Sequence, residues 1–218
     1  MMRKETRKYY FSVEGETEKW YLDWLQKTIN AIPESKYNVR FDSKIQKDPL
    51  ARVKGMTLLE QTEITHVFDR ESEDPIHTKQ FQETLDRMSE AEQLGKDINY
   101  KLGYSNFTFE LWIILHKTDC NGAKTNRKQY LFDLNKAYNE KFEDLKEYKR
   151  ENDFKRILKK LTINDVIFAV RRSEIIMKRN KESGYKPQKY KGYSFYEENP
   201  SLSVWEIVNT ILEECEIK

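Results

Sequence analysis

The chain lacks any apolar run close to the roughly 20 residues that a membrane-spanning helix needs, so membrane spanning is not expected. Cysteine is scarce: Cys120 and Cys215 are the two in 218 residues. Their wide separation gives neither CxxC zinc spacing nor a disulfide framework. Three histidines, His66, His77 and His116, are too scattered to read as a zinc site. No GxxxxGK[ST] run is present, so a P-loop nucleotide hydrolase is not encoded here. Residues 1–8 lead into a strand-like segment rather than the apolar core of a signal peptide, which makes a reducing cytoplasm the expected location.

An excess of one charge sign is also missing overall, with 39 Lys+Arg against 37 Asp+Glu and a net charge of +2. That balance hides a local excess. Residues 141–191 hold 16 basic and 8 acidic side chains, a net +8, whereas residues 1–140 hold 22 and 23, and residues 192–218 hold 1 and 6. The basic segment also contains Tyr148, Phe154, Phe168, Tyr185 and Tyr190. It reads either as a solvated helix face or as a phosphate-facing surface, in which Lys155, Lys159, Arg171, Arg172 and Lys178 would contact nucleic acid.

Strand and helix signals alternate through the first half. Tyr9–Val13, Tyr37–Ile45, Ile64–Phe68 and Ile98–Leu102 read as strands. Between them, Trp20, Tyr21, Trp24, Leu25 and Ile29 keep a helical spacing, Leu50–Leu59 gives a weaker helix, and Phe81, Leu85, Met88 and Leu94 mark one over Lys79–Leu94. This order predicts an α/β fold, a parallel sheet with helices on its faces. After a dense apolar stretch, Phe107–Leu115, residues 127–182 read as mostly helical, Gly184–Tyr196 reads as a loop, and Ser201 is positioned to cap a last helix carrying Val204, Trp205, Val208 and Ile211. Without an internal repeat or a low-complexity linker, the expected division is an α/β core over 1–118 and a helical, basic extension over 119–218 packed on it.

In a parallel sheet, ligands bind beyond the carboxyl ends of the strands. The first strand ends in Glu14-Gly15-Glu16-Thr17-Glu18 and the third in Asp69-Arg70-Glu71. Carboxylates gathered there form a hard, oxygen-rich pocket suited to Mg²⁺ or Mn²⁺, and such ions stabilise the attacking and leaving oxygens of a phosphodiester.

A strand ending in Glu-Gly with Thr-Glu opening the next helix, followed by a later strand ending in Asp-x-Glu, resembles the TOPRIM domain of topoisomerases, primases and overcoming-lysogenization-defect nucleases. Two further stretches, Ser105-Asn106-Phe107-Thr108-Phe109-Glu110-Leu111-Trp112-Ile113-Ile114-Leu115-His116 and Asn199-Pro200-Ser201, make the chain similar to the RloB family, TOPRIM-like proteins of bacterial restriction and phage-defence loci. The resemblance covers about residues 8–215. It implies a TOPRIM-like, Rossmann-like fold and a metal-dependent nuclease. Glu14 would act as general base or acid or help to hold metal, and Asp69 and Glu71 would form the acidic metal pair, with Glu71 standing where aspartate is commoner. Glu18 would serve as a further metal ligand or as a helix cap. Glu110 and His116 belong to the signature; Glu110 inside an apolar stretch needs a partner or a metal, and His116 is either catalytic or a structural histidine. Arg70 is either a phosphate contact or a solvated neighbour of two acids. The family resemblance also implies an ABC- or AAA-type ATPase partner and leaves oligomerisation open. A non-catalytic nucleic-acid-binding or adaptor module is the alternative to the nuclease.

Overall fold

Side chains on the two central strands alternate between two apolar cores, and that alternation organises the whole molecule. In the computed structural model, which describes residues 4–57 and 60–217, the chain runs β1 (Thr6–Val13), α1 (Glu16–Asn30), β2 (Asn38–Ile45), α2 (Pro49–Lys54), β3 (Thr62–Arg70), α3 (Pro75–Glu92) and β4 (Ile98–Asn106). Phe11 and Val13 of β1 and Val67 of β3 enter one core, while Ile64 and Phe68 of β3 enter the other, as a period of two requires. The helix expected over Leu50–Leu59 ends at Lys54, and Leu58 and Leu59 lie outside the described residues. The helix expected from Lys79 begins earlier, at Pro75, because Asp74 accepts from the Ile76 amide and Pro75 occupies the first turn, where its missing N–H costs nothing.

The five-stranded sheet has the order β2-β1-β3-β4-β7. Pairs β1/β2, β1/β3 and β3/β4 are parallel, whereas β7 (Ser201–Leu202) runs antiparallel to β4 through Ser105–Leu202 and Asn106–Ser201. The sheet is therefore mostly parallel and flanked by helices, α/β as expected, with a short antiparallel edge. Ser201, expected as a helix cap, is instead a strand residue. The position before α9 (Val204–Glu214) is held by Ser203, whose hydroxyl donates to Leu102 O (2.6 Å) and accepts from Tyr104 N (3.1 Å), tying the helix to β4.

Residues 127–182 are mostly helical, as expected, with α5 (Tyr130–Tyr138), α6 (Leu145–Tyr148), α7 (Glu151–Leu158) and α8 (Ile163–Glu182), and the dense apolar stretch before them contains a further short helix, α4 (Glu110–Leu115). They share one core with α1 and the first face of the sheet rather than forming a core of their own. At its centre Tyr21, Phe109 and Trp112 pack edge to face, with ring centroids 5.8 and 6.0 Å from Tyr21. Such pairs contribute about 0.5–1.5 kcal/mol beyond their burial. The stretch 184–196, expected as a loop, contains a hairpin of β5 (Gln188–Tyr190) and β6 (Tyr193–Phe195). Its two-residue turn places both Lys191 and Gly192 at positive φ (50° and 87°), the geometry that matches the twist of paired strands. With α2 and α3 the hairpin lies with the second core. Among the described residues no helix is long and apolar enough to cross a membrane.

Candidate active site

The parallel strands β1, β3 and β4 end on one edge of the sheet, the first two in or just before a carboxylate and the third four residues ahead of one. After Val13 the chain leaves β1 through Glu14 and Gly15, and α1 begins at Glu16. Gly15 is extended, so its small size matters through space: a Cβ there would stand 3.1 Å from Glu18 Oε2. That close approach lets the Glu18 carboxylate fold back over the start of its own helix, where Thr17 Oγ1 donates to it at 3.1 Å. On β3, Asp69 shares the parity of Val67 and points toward the α1 side. Its amide donates to Glu14 Oε2 at 3.3 Å, fixing the two strand ends together. β4 ends at Asn106, and four residues later Glu110 opens α4, fully buried, with the Thr108 hydroxyl donating to it.

These carboxylates repel one another out of water. Burial and then Glu18, with Glu110 and Glu14 adding, push Asp69 well above the ordinary carboxylate range, against the opposing charge of Lys149. Glu18 is also raised, first by burial, with Glu110 among the contributors. Burial, with Glu18 and Glu71 adding, lifts Glu14 to about 7 although the Asp69 amide works the other way. Glu14 therefore changes charge near neutral pH, the property a general acid or base needs.

Sequence reading missed the cation that faces them. Lys149 follows α6, and its Nζ lies 3.1 Å from Glu110 Oε1. Burial lowers its proton affinity, but Glu110, Asp69 and Glu18 raise it by more, so the ammonium stays charged. Tyr148, fully buried against Phe142 and Phe154, anchors the turn that delivers it.

On the other side, Glu14, Asp69 and Glu71 line a cavity of about 60 Å³ together with His77 and Gln80. Glu14, Glu71 and His77 also border a groove of about 850 Å³ alongside α3. Glu71 is ion-paired to Arg127 Nη1 (3.1 Å), and His77 Nε2 lies 3.4 Å from its carboxylate. Its charge is thus partly balanced by a direct ion pair, whereas Glu14 has the Asp69 amide and the field of Lys47. His77, whose Nδ1 is 2.7 Å from Ser72 Oγ, is a second group that no local pattern singles out.

A family model described as RloB-like protein matches residues 9–211. The chain belongs to the RloB-like family. No curated protein and no solved structure matches it. The matched span of the RloB-like chain runs from β1 into α9 and contains Glu14, Glu18, Asp69, Glu71, Glu110 and Lys149.

Among the described residues no three His, Cys, Asp or Glu side chains already stand as a metal cage. The donor chemistry nonetheless fits a hard divalent cation. The available atoms are carboxylate oxygens, and the raised proton affinities of Glu14, Glu18 and Asp69 come first from burial and then from one another's charge, both of which a bound cation would offset.

The structure places the remaining expected residues differently. His116 is fully enclosed, with Nε2 3.1 Å from Tyr21 OH and Nδ1 2.9 Å from Trp112 O, so both nitrogens are occupied within the core. Burial lowers its pKa to about 4, which keeps it neutral. Arg70, on the opposite face of β3 from Asp69, is 3% exposed and donates to Glu197 O at 3.0 Å, leaving no guanidinium surface for phosphate. Arg172 donates to Leu115 O (2.7 Å) and His116 O (3.2 Å), closing the end of α4, and pairs with Asp119. Lys155, Lys159, Arg171 and Lys178 are exposed, with Lys155 and Lys178 paired to Glu151 and Glu182 on their own helices. The signature stretches meet in space: Asn199 Nδ2 donates to Asn106 O (2.5 Å) and Tyr130 OH (2.7 Å), and Asn106 Nδ2 donates to Glu197 O (2.8 Å). Their polar residues lock the end of β4, from which Glu110 is presented.

Proposed function

We propose that this RloB-like chain is a divalent-metal-dependent nuclease that hydrolyses nucleic-acid phosphodiesters on a TOPRIM-like fold, working in antiphage defence with an ABC- or AAA-type ATPase. The observation that carries the reading is the convergence of Glu14, Glu18 and Glu110 around Asp69, whose amide holds Glu14 (3.3 Å) and whose proton affinity is raised first by burial and then by these three carboxylates. Glu18 and Asp69 would hold Mg²⁺ or Mn²⁺, with Glu71 available from the cavity side. An ion held there supplies Lewis acidity at the phosphate oxygens. Glu14 either joins those ligands or, left free of the ion, takes the proton of the attacking oxygen or returns one to the leaving oxygen. Lys149 presents a fixed positive charge to the negative charge that accumulates on the phosphoryl group, and Glu110 with Thr108 holds that ammonium in place. The defence setting and the ATPase rest on the family resemblance.

The alternative, a nucleic-acid-binding module without catalysis, draws support from Lys149, which already compensates part of the carboxylate charge. Incubating the protein with single- and double-stranded DNA and RNA, in Mn²⁺ or in chelator, separates the two. The nuclease reading expects Mn²⁺-dependent cleavage that falls at least about 10²-fold in Glu14→Gln, with the metal-free thermal midpoint no lower than that of wild type. An unchanged rate in that variant, or no cleavage by wild type, contradicts it.

A further inference from the structure

The face of α1 that leads away from the carboxylates carries aromatic rings beside lysines. Trp20 and Trp24, four residues apart and partly exposed, line a groove of about 300 Å³ with Asp23 and Lys27 of α1, Lys155 and Leu158 of α7, and Lys159 just after α7. Each ring is backed by a core aromatic: Trp20 lies 6.0 Å from Phe154 and Trp24 lies 5.7 Å from Tyr21, centroid to centroid. Both platforms are therefore held in place before any ligand arrives. Lys155 Nζ stands 5.8 Å from the centre of the Trp20 ring, and its bond to Glu151 is at the exposed surface, where such a pair contributes little. Lys27 and Lys159 form no ion pair among the described residues. Asp23, the one carboxylate in the lining, is paired with Lys19 (2.7 Å), so the groove has an aromatic floor and a rim on which the lysines outnumber the acid.

That combination suits a polymer offering both phosphates and accessible ring faces. Duplex bases hide their faces in the stack, so a duplex could use only the lysines; an unpaired strand can use lysines and tryptophans together. At about 1.5 Å and 100° per residue, Trp20 and Trp24 follow Glu18 by about 3 and 9 Å along α1 but lie on a different face of the helix, so a strand on the groove reaches the carboxylates by passing round the first turn of α1.

We infer that the Trp20–Trp24 groove is a stacking platform for single-stranded nucleic acid, which leads an unpaired strand to the carboxylate site. The inference rests on the nuclease reading for its purpose, but the binding it describes needs no cleavage.

The test is fluorescence anisotropy in chelator at low salt, using labelled dT12, rU12 and a 12-base-pair DNA duplex, with intrinsic tryptophan emission followed in parallel. Wild type is expected to bind one or both single strands at least about tenfold more tightly than the duplex and to show quenched emission on binding; the stronger of dT12 and rU12 then identifies DNA or RNA. Trp24→Ala should weaken single-strand binding at least about fivefold and leave duplex binding unchanged. Lys159→Gln, at an exposed position that does not threaten folding, should weaken both and reduce the log–log salt slope for the single strands by about 0.7. If Trp24→Ala fails to fold, Trp24→Leu, which keeps an apolar side chain against Tyr21, takes its place with the same expectation. Equal affinity for single strand and duplex, or undiminished single-strand binding in a folded Trp24 variant, overturns the platform. Cleavage by wild type without single-strand preference would overturn the platform alone, and single-strand preference without any cleavage would overturn the nuclease reading alone.

Discussion

Lys149 Nζ stands 3.1 Å from Glu110 Oε1, although the two residues come from different elements, one from the turn after α6 and the other from the first residue of α4. The glutamate side chain is 0% exposed and the lysine side chain 37%. This pair is the point at which the basic, helical part of the chain enters the carboxylate site.

Removing the lysine should therefore cost more than a surface ion pair would. Lys149→Met leaves Glu110 buried without its cation, and we expect a loss of about 1–3 kcal/mol, below the range for a fully buried pair because water reaches the ammonium. Adding Glu110→Gln to Lys149→Met should recover part of that loss. Urea unfolding at neutral pH checks both, and additive losses in the double variant would show that the pair is not coupled.

Glu14 sets a pH dependence whose sign follows from its burial. Its pKa rises from 4.5 to about 7 on folding. The folded state therefore holds a proton that the unfolded state releases, so this stabilising contribution is complete below pH 4.5 and is lost as pH rises to about 7. In the absence of divalent metal, Glu14→Gln should flatten the fall in thermal midpoint across that window and be the more stable protein above it. Parallel midpoint curves for wild type and variant would remove Glu14 from this role.

Arg172 separates structural from phosphate-facing cations. It donates to two carbonyls at the end of α4, and charged hydrogen bonds of this kind contribute about 1.5–3 kcal/mol. Arg172→Ala should destabilise the fold while leaving the salt slope of nucleic-acid binding unchanged. A slope reduced by about one with no change in stability would return Arg172 to the phosphate surface.

The parts of the fold that were legible in the sequence are those where one local pattern decides the outcome. Phe11 and Val13 alternate with polar neighbours, and Tyr21, Leu25 and Ile29 keep helical spacing, so β1 and α1 follow directly. Strand ends could be placed, and with them Glu14 and Asp69. Lys149 could not be singled out among the basic residues of 141–191, because what selects it is the burial of Tyr148 beside it and the arrival of Glu110 from 39 positions earlier in the chain. His77 was hidden for the same reason: its approach to Glu71 depends on where α3 docks. The hairpin at 188–195 was missed because Lys191-Gly192 is a weaker turn signal than Asn-Gly, although both residues adopt the same positive φ. Charge alone does not tell which guanidinium is taken up by backbone carbonyls, as those of Arg70 and Arg172 are.

The central claim is that the carboxylates around Asp69 form a divalent-cation site, and calorimetric titration with Mn²⁺ at pH 7.5 tests it most directly. Wild type should bind saturably, with affinity falling as pH drops and the carboxylates protonate. Asp69→Asn, folded to the same or a higher thermal midpoint, should show no saturable binding. A variant isotherm that overlays that of wild type would contradict the account.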